Sequence, residues 1–168
     1  MAEFDADCFV VKSFSKYSAM PGWRLGWLVY PESLARPVEC LAQNLFISAP
    51  TLSQFAAQAA FDCQPELDAN VKRYKANRDL LLAELPKAGF DKLSHAQGAF
   101  YVYADVSHLT DDSQAFCQEV LAKTGVAITP GADFDPSRGH HYVRFSFAGS
   151  TEDMAEAVGR LKVWRASL

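Results

Sequence analysis

The stretch VVKSFSKYSAMPGWRLGWLVYP, residues 10–31, decides the fold prediction because it places two apolar runs on either side of a polar segment. Residues 9–11 are apolar and predict a short buried strand that ends at Ser-Phe-Ser-Lys. After the Pro-Gly pair, residues 23–30 predict a second strand. Lys16 therefore lies in the connection between two strands, with Ser13 before it and Arg24 after it.

A long helical region separates this strand pair from a second α/β unit. Residues 49–61, APTLSQFAAQAAF, carry apolar side chains at helical spacing, and residues 67–85 predict a longer helix that ends near Gly89. The sequence Ser-Thr-Glu-Asp at 150–153 provides side chains that can cap the start of a last helix. Beyond the long helix we predict, in order, a strand at 98–106, a helix at 112–123, strands at 126–129 and 142–147, and a helix at 151–168. The predicted domain boundary lies near residue 75.

Composition and charge narrow the classes of partner. The chain has 168 residues, of which 49% are apolar and 21% are charged, and these values are typical of a globular protein rather than a disordered one. A formal net charge of −4 gives no electrostatic reason to expect nucleic acid or an anionic membrane as partner. No apolar run approaches the roughly 20 residues of a membrane helix, and the acidic N-terminus differs from a signal peptide. We therefore expect a cytoplasmic protein.

Cysteine and histidine spacing argues against disulfides and metal binding. The cysteines form no CxxC pair, so we expect buried, reduced thiols. The four histidines lack the spacing of metal ligands, and we assign no metal site. The cysteines are Cys8, Cys40, Cys63 and Cys117.

The residues around Lys16 fit a phosphate-bearing aldehyde. The guanidinium of Arg24 offers a planar fork of donors that suits a phosphate, and the Ser13 hydroxyl adds another donor. A neighbouring cation and partial desolvation would increase the share of neutral, nucleophilic amine at Lys16, which can then form a Schiff base. Pyridoxal 5′-phosphate (PLP) is the common cofactor with both groups. On spacing alone, an ordinary surface lysine on a solvated loop explains the pattern equally well.

The run SFSKYSAMPGWRLGWLVYP resembles the lysine segment of class I/II (fold type I) PLP-dependent aminotransferases, whose pattern is S-x-S-K followed by G-W-R-[IL]-G-[WY]. The resemblance implies that Lys16 is the catalytic lysine, which forms the Schiff base and then moves a proton. It also implies that Ser13 and Arg24 bind the cofactor phosphate and that Lys16 binds the cofactor at its aldehyde. For Ser15 it leaves open whether the hydroxyl supports the turn instead.

The resemblance continues through the rest of the chain. The segments NLFISAPTLSQFAAQAAF, GAFYVYADV, ITPGADF and YVRFSFA are similar to successive segments of the same family. By this resemblance Arg144 binds the α-carboxylate of the substrate; the alternative is an exposed strand arginine that pairs with an acidic neighbour. Phe100 and Tyr101 are expected in the core and the cleft wall. Asp135 stands where the family usually has glycine, which leaves the loop there in question.

Members of this family are considerably longer, and the glycine-rich turn, the ring-stacking aromatic residue and the aspartate near the pyridine nitrogen find no counterpart here. We therefore expect the C-terminal portion of an aminotransferase with an α/β fold. It would comprise the end of the PLP-transferase large domain, with a partial sheet, and the complete α/β small C-terminal domain. Residues 1–75 would be the C-terminal part of the PLP-binding domain with the interdomain helix, and residues 76–168 the small domain.

The function implied by the resemblance is transfer of an amino group from an amino acid to a 2-oxo acid by a ping-pong Schiff-base mechanism. The intact enzyme would be a homodimer that binds these small molecules, with neither nucleic acid nor membrane as partner, and the isolated chain would be inactive. Three alternatives stay open. They are a non-catalytic fragment, an aminotransferase-like regulatory or interaction domain, and a PLP lyase or synthase of the same fold.

Overall fold

The computed structural model describes residues 7–167, which form an α/β chain of two compact units, Met1–Val71 and Lys72–Leu168. In the first unit, β1 (Val10–Ser13) and β2 (Gly26–Val29) form a two-stranded antiparallel sheet. The helices of this unit are α1 (Ala35–Leu45), α2 (Thr51–Ala60) and the beginning of α3 (Gln64–Glu84). Both strands and the helix at 49–61 were predicted, and the structure confirms them.

The first unit has a small core that anchors the connection between β1 and β2. Phe14 and Met20, both in this connection, are buried with Ala57 of α2. The Phe14 ring lies 5.0 Å from the Trp27 ring and 5.6 Å from the Phe61 ring, between centroids. These contacts hold the middle of the connection in place, and they therefore also fix the backbone of the polar residues on either side of Phe14.

Two features of the strand pair follow from its immediate surroundings. A Cβ at Gly26 would lie 2.4 Å from the carbonyl oxygen of Lys12, so only glycine allows the strands to approach this closely. The prediction of a buried first strand is wrong, because the side chain of Val11 is 79% exposed. Among the described residues β1 pairs only with β2.

The long helix α3 runs from the first unit into the second. Its end matches the prediction: the helix stops at Glu84, a short turn follows at Pro86–Ala88, and Gly89 adopts a left-handed conformation with φ of 85°. The boundary between the two compact units falls after Val71, whereas the domain boundary predicted from the sequence was near residue 75.

The second unit is a four-stranded antiparallel sheet with helices packed on it. The strand order is β3-β4-β6-β5. Alternate residues of the central strands are buried, Val102 and Ala104 of β4 against Val143 and Phe145 of β6, and they meet Leu85, Phe90 and Leu161 from the helical side. The elements are β3 (Lys92–Leu93), β4 (Tyr101–Asp105), α4 (Ser113–Thr124), β5 (Thr129–Pro130), β6 (Tyr142–Ser146) and α5 (Thr151–Arg165).

Side-chain caps fix the starts of two helices in this unit, and the cap of the last helix was predicted from the sequence. The Asp112 carboxylate accepts hydrogen bonds from the amides of Gln114 and Ala115 at the start of α4. The Ser150 hydroxyl accepts from the amide of Asp153 at the start of α5. Within residues 7–167, no helix combines the length and apolar character that a membrane crossing requires.

A buried amide joins α3 to the segment between β6 and α5. Asn77 is fully buried, and its Nδ2 donates to the carbonyl oxygens of Phe147 at 3.1 Å and Gly149 at 3.0 Å. Its Oδ1 accepts from the Thr151 hydroxyl at 2.7 Å. The side chain is therefore satisfied at both ends, as a buried polar group requires.

Candidate active site

The connection between β1 and β2 carries the three residues predicted to bind a cofactor. Phe14 donates its amide to the Leu25 carbonyl, and Ser13 lies directly opposite Gly26 across the strands. The polar ends of the connection, which include Ser13 and Arg24, are therefore close together in the fold. This proximity is a property of the first unit alone.

Ser13 and Ser15 form a pair of hydroxyls at the end of β1. Their Oγ atoms are 2.8 Å apart, and the Ser13 hydroxyl also accepts a hydrogen bond from the Ser15 amide at 3.1 Å. A hydroxyl both donates and accepts, so one member of the pair can donate to a ligand while it accepts from the other. The Ser15 amide and hydroxyl therefore take part in the turn, and a role of the hydroxyl in ligand binding stays a prediction.

Lys16 follows the buried Phe14 and lies in a tight turn. Its carbonyl accepts a hydrogen bond from the Ala19 amide at 3.0 Å, and the Phe14 carbonyl accepts from the Met20 amide at 3.0 Å. The lysine side chain is exposed in the described structure. The partial desolvation expected from the sequence stays a prediction.

Arg24 occupies a backbone conformation that is rare for residues other than glycine. Its φ is 51° and its ψ is 46°, in the left-handed region, which costs about 1–2 kcal/mol for an L-residue with a Cβ. Its Nη1 donates to the Pro21 carbonyl at 3.0 Å, and no ion pair of Arg24 occurs among residues 7–167. The strained backbone thus presents an exposed cation without a carboxylate partner.

This donor set fits a cofactor with a phosphate and an aldehyde. A phosphate needs hydrogen-bond donors and positive charge, which two serine hydroxyls and one guanidinium supply. An aldehyde needs an accessible amine, which Lys16 supplies. Among the described residues no group of three or more histidine, cysteine, aspartate or glutamate side chains is arranged to hold a metal ion.

Arg144, the predicted carboxylate ligand, lies on β6 in the second unit. Its Cζ is 4.3 Å from the centroid of the Phe134 ring and 5.1 Å from that of Tyr101. Its Nη2 makes a long contact of 3.5 Å with the Thr129 hydroxyl, and its buried Nε has no hydrogen-bond partner among residues 7–167. The guanidinium is therefore fixed by aromatic rings and keeps donors for a ligand.

The alternative role for Arg144, an exposed arginine paired with an acidic neighbour, does not agree with this geometry. The side chain is only partly exposed, and no carboxylate among residues 7–167 lies within 4.0 Å of its nitrogens. The rings of Phe134 and Tyr101 beside it are features that the sequence did not reveal. For Tyr101 the position follows from the sheet register: Tyr103 pairs with Arg144, and Tyr101, two residues earlier, lies on the same face of the sheet.

Asp135, where the family usually has glycine, organises its own loop. Its Oδ1 accepts from the amide of Ser137 at 3.0 Å, from the hydroxyl of Ser137 at 2.8 Å and from the amide of Arg138 at 3.1 Å. These hydrogen bonds, led by the one from the Ser137 hydroxyl, hold the pKa of Asp135 far below its usual range. The carboxylate is therefore a structural element of the loop.

The two sets of predicted residues lie in different units. Ser13, at the end of β1, and Lys16 and Arg24, in the connection that follows, belong to the first unit, and Arg144 belongs to β6 in the second. The first set offers hydroxyl, amine and guanidinium groups, and the second offers a guanidinium.

The fold and the predicted site residues can be compared with those of known proteins. The family described as aminotransferase class I and II matches residues 1–161, and the chain belongs to it. The valine–pyruvate aminotransferase of Mycobacterium tuberculosis is 55% identical over 157 residues, which cover 92% of this chain and 40% of that protein. The (5-formylfuran-3-yl)methyl phosphate transaminase of Methanocaldococcus jannaschii is 36% identical over 165 residues, covering 95% and 43%.

A solved structure agrees with this assignment. An aminotransferase from Mycobacterium tuberculosis superposes with a TM-score of 0.95 and 52% identity, over 99% of this chain and 43% of that one. The chain thus spans about 40% of the length of the relatives it matches. The predictions of the family, of the α/β class and of a partial fold-type I chain are confirmed.

Proposed function

We propose that this chain is part of a PLP-dependent aminotransferase that moves an amino group from an amino acid to a 2-oxo acid in a ping-pong sequence. The observation that carries the proposal is the segment at the end of β1, where the serine pair and Lys16 are followed by Arg24, a cation without an ion pair among residues 7–167. Membership of the aminotransferase class I and II family supports it.

Each residue of the chain has a defined part in this proposal. Ser13 and Arg24 bind the cofactor phosphate, and Arg24 opposes its charge at a position where a glycine would relieve backbone strain. Arg144 binds the substrate carboxylate with two parallel N–H donors and so orients the amino acid. Lys16 provides the amine that holds the cofactor and, when released, accepts and returns the substrate α-proton. PLP, when bound, supplies the aldehyde and the electron-withdrawing ring.

The finer points of the proposal concern the intact enzyme. Valine and pyruvate are the first donor and acceptor to test, because they name the activity of the 55% identical relative from Mycobacterium tuberculosis. We propose a cytoplasmic homodimer for the intact enzyme. Large exposed apolar side chains on α1 and α2 support association, because such surface is uncommon on monomers; they include Leu45, Leu52 and Phe55.

The decisive experiment compares two lysines of the same chain. The purified chain is incubated with PLP, reduced with borohydride and digested, and the modified lysines are quantified by mass spectrometry. Lys16 should be modified at lower PLP concentration than Lys12, which is also exposed and lies four residues earlier on β1. Lys16→Ala should remove the adduct, and Lys12→Ala should leave it. Equal modification of Lys16 and Lys12 would refute the proposal.

A phosphate-free analogue tests the role of Arg24. Arg24→Gln should reduce modification of Lys16 by PLP at least about tenfold, since a hydrogen bond to a charged group is worth about 1.5–3 kcal/mol. The same variant should react with pyridoxal, which lacks the phosphate, as the wild type does. If Arg24→Gln reduced the modification of Lys16 by PLP and by pyridoxal equally, Arg24 would stabilise the fold of the connection rather than bind the phosphate.

We also propose that the isolated chain transaminates weakly or not at all. Its described residues leave Lys16 exposed, and an exposed site stabilises developing charge poorly. The assay follows pyruvate-dependent consumption of valine with added PLP. Robust turnover by the isolated chain would contradict this part of the proposal.

A further inference from the structure

The loop at residues 131–139, which follows β5, is closed at its base by two buried glycines. A Cβ on Gly139 would lie 2.2 Å from the Gly131 carbonyl oxygen, and a Cβ on Gly131 would lie 2.6 Å from the Gly139 carbonyl oxygen. Neither distance is possible for a real side chain, so the two ends of the loop pack backbone against backbone. The loop therefore begins and ends at one fixed point beside β6.

Hydrogen bonds inside the loop fix the residues between the glycines. The amides of Phe134 and Asp135 both donate to the Gly131 carbonyl, at 2.9 Å and 3.0 Å. The Asp135 carboxylate accepts from Ser137 and Arg138, including Arg138 Nε at 3.1 Å. Hydrogen bonds to the residues before and after Phe134 in the chain thus fix its backbone position.

The Phe134 side chain does not serve the core. It is 51% exposed, and the buried residues of the second unit do not include it. Its ring instead lies under the Arg144 guanidinium, closer than the Tyr101 ring does. A half-exposed aromatic ring held by a rigid loop against an arginine indicates a role in placing that arginine.

Hydrogen bonds within the described part of the second unit do little to orient the guanidinium. Over residues 7–167, Arg144 Nε has no hydrogen-bond partner, and the contact with Thr129 is at the 3.5 Å limit of a hydrogen bond. Bidentate binding of a carboxylate depends on the plane of the guanidinium, because both N–H donors must point at both oxygens. The ring faces are the groups that set this plane.

We propose that Phe134 is a positioning residue, which holds the Arg144 guanidinium on its ring so that the two donors of the fork face a substrate carboxylate. The Asp135 carboxylate acts indirectly, because its hydrogen bonds maintain the conformation of the loop that carries Phe134. This inference rests on the proposed function, since it requires that Arg144 binds a carboxylate.

The test uses the chain itself, labelled with ¹⁵N, and follows the Arg144 Nε–Hε signal by NMR. Ring currents of a face-on aromatic ring shift such a proton upfield, so Phe134→Leu should move the signal downfield. Phe134→Trp keeps a ring face and should restore the upfield position. In a titration with pyruvate, Phe134→Leu should weaken binding about two- to fivefold, the effect of one exposed cation–π contact, and Phe134→Trp should bind as the wild type does.

The loop is tested by a matched pair of substitutions. Asp135→Asn removes the charge that accepts from Ser137 and Arg138 and should shift the Arg144 signal in the same direction as Phe134→Leu. Asp133→Asn makes the same chemical change at an exposed position two residues earlier and should leave the signal unchanged. Equal effects of the two variants would overturn the role of Asp135.

Failure of this inference differs from failure of the proposed function. Arg144→Lys keeps the charge but loses the fork; if it binds pyruvate as tightly as the wild type, or if the wild type shows no binding, the carboxylate role of Arg144 is wrong. If Arg144→Lys loses binding while Phe134→Leu leaves either the Nε–Hε signal or the affinity unchanged, only the positioning role of Phe134 is wrong. Signals outside the loop and β6 should match the wild type and so show that each variant is folded.

Discussion

Replacing Asn77 by aspartate should destabilise the second unit strongly and make its stability depend on pH in an unusual direction. The substitution keeps the size of the side chain and its acceptor toward the Thr151 hydroxyl. It exchanges the NH₂ group, which donates to the carbonyls of Phe147 and Gly149, for an oxygen. Because the position is fully buried, the new oxygen has no water with which to replace those partners.

The size of the effect follows from the cost of keeping the new carboxyl protonated. The protonated carboxyl can donate to one of the two carbonyls, and at pH 7 protonation of a group with an ordinary pKa near 3.9 costs about 4 kcal/mol. The other carbonyl loses its donor, which costs about 1–3 kcal/mol. We expect a loss of about 5 kcal/mol or more at pH 7, a large part of the roughly 5–15 kcal/mol that stabilises a domain.

The pH dependence has a definite sign. Burial and two facing carbonyls raise the folded-state pKa of the new carboxyl above its unfolded value. The folded state then binds more protons between the two pKa values, so the variant is most stable, relative to wild type, below about pH 4 and loses stability as pH rises. At pH 3 the loss should shrink to about 1–3 kcal/mol, since only one hydrogen bond is then missing.

Urea unfolding of the variant and the wild type at several pH values, followed by circular dichroism, measures these differences. Asn44→Asp is the control, because Asn44 is exposed on α1 and makes one local bond to the Cys40 carbonyl. It should change the free energy of unfolding by less than about 0.5 kcal/mol. A loss below about 1 kcal/mol for Asn77→Asp at pH 7, or one that does not vary with pH, would refute the reasoning.

Two further predictions concern the charge of Glu84 and the reactivity of two cysteine thiols. Glu84 hydrogen-bonds Lys162 and, second, Lys87, which lowers its pKa to about 2 from 4.5. The ionised Glu84 carboxylate therefore contributes to the stability of the folded chain above pH 4.5, and this contribution is lost as pH falls toward 2. Glu84→Gln should remove this part of the acid destabilisation in pH-dependent unfolding, and an unchanged acid profile would contradict the prediction. Desolvation raises the pKa of Cys117 to about 12, so iodoacetamide at about pH 8 should alkylate the exposed Cys63 and not Cys117 unless urea is added; equal rates in the folded chain would show that Cys117 is not protected.

Much of the fold could be predicted because its signals are local. The cap at Ser150 and Gly89 near the end of the long helix mark helix ends by residue type alone, and the structure confirms both. Strand β3 was not predicted, since two residues are too few to show a period. The predicted strand at 126–129 is formed only as Thr129–Pro130, because pairing with β6 decides its length.

Burial was predicted less well than secondary structure. The apolar character of Val11 indicated a buried strand, yet its side chain is exposed because burial depends on which elements cover a strand. The same holds for the thiols: Cys117 is buried as expected, whereas Cys63 is exposed. Residue type gives the preference for burial, and the packing partners decide it.

The sequence by itself determined that Ser13, Lys16 and Arg24, the residues predicted to bind a cofactor, lie within one short segment, since their spacing is visible in the chain. Only the tertiary structure decided the surroundings of Arg144. Its neighbours Tyr101 and Phe134 come from another strand and from a loop, and antiparallel register and loop closure bring them to the guanidinium. The physical reason is that spacing along a chain fixes local contacts, whereas contacts between distant segments depend on how hydrogen-bonded strands and packed side chains align.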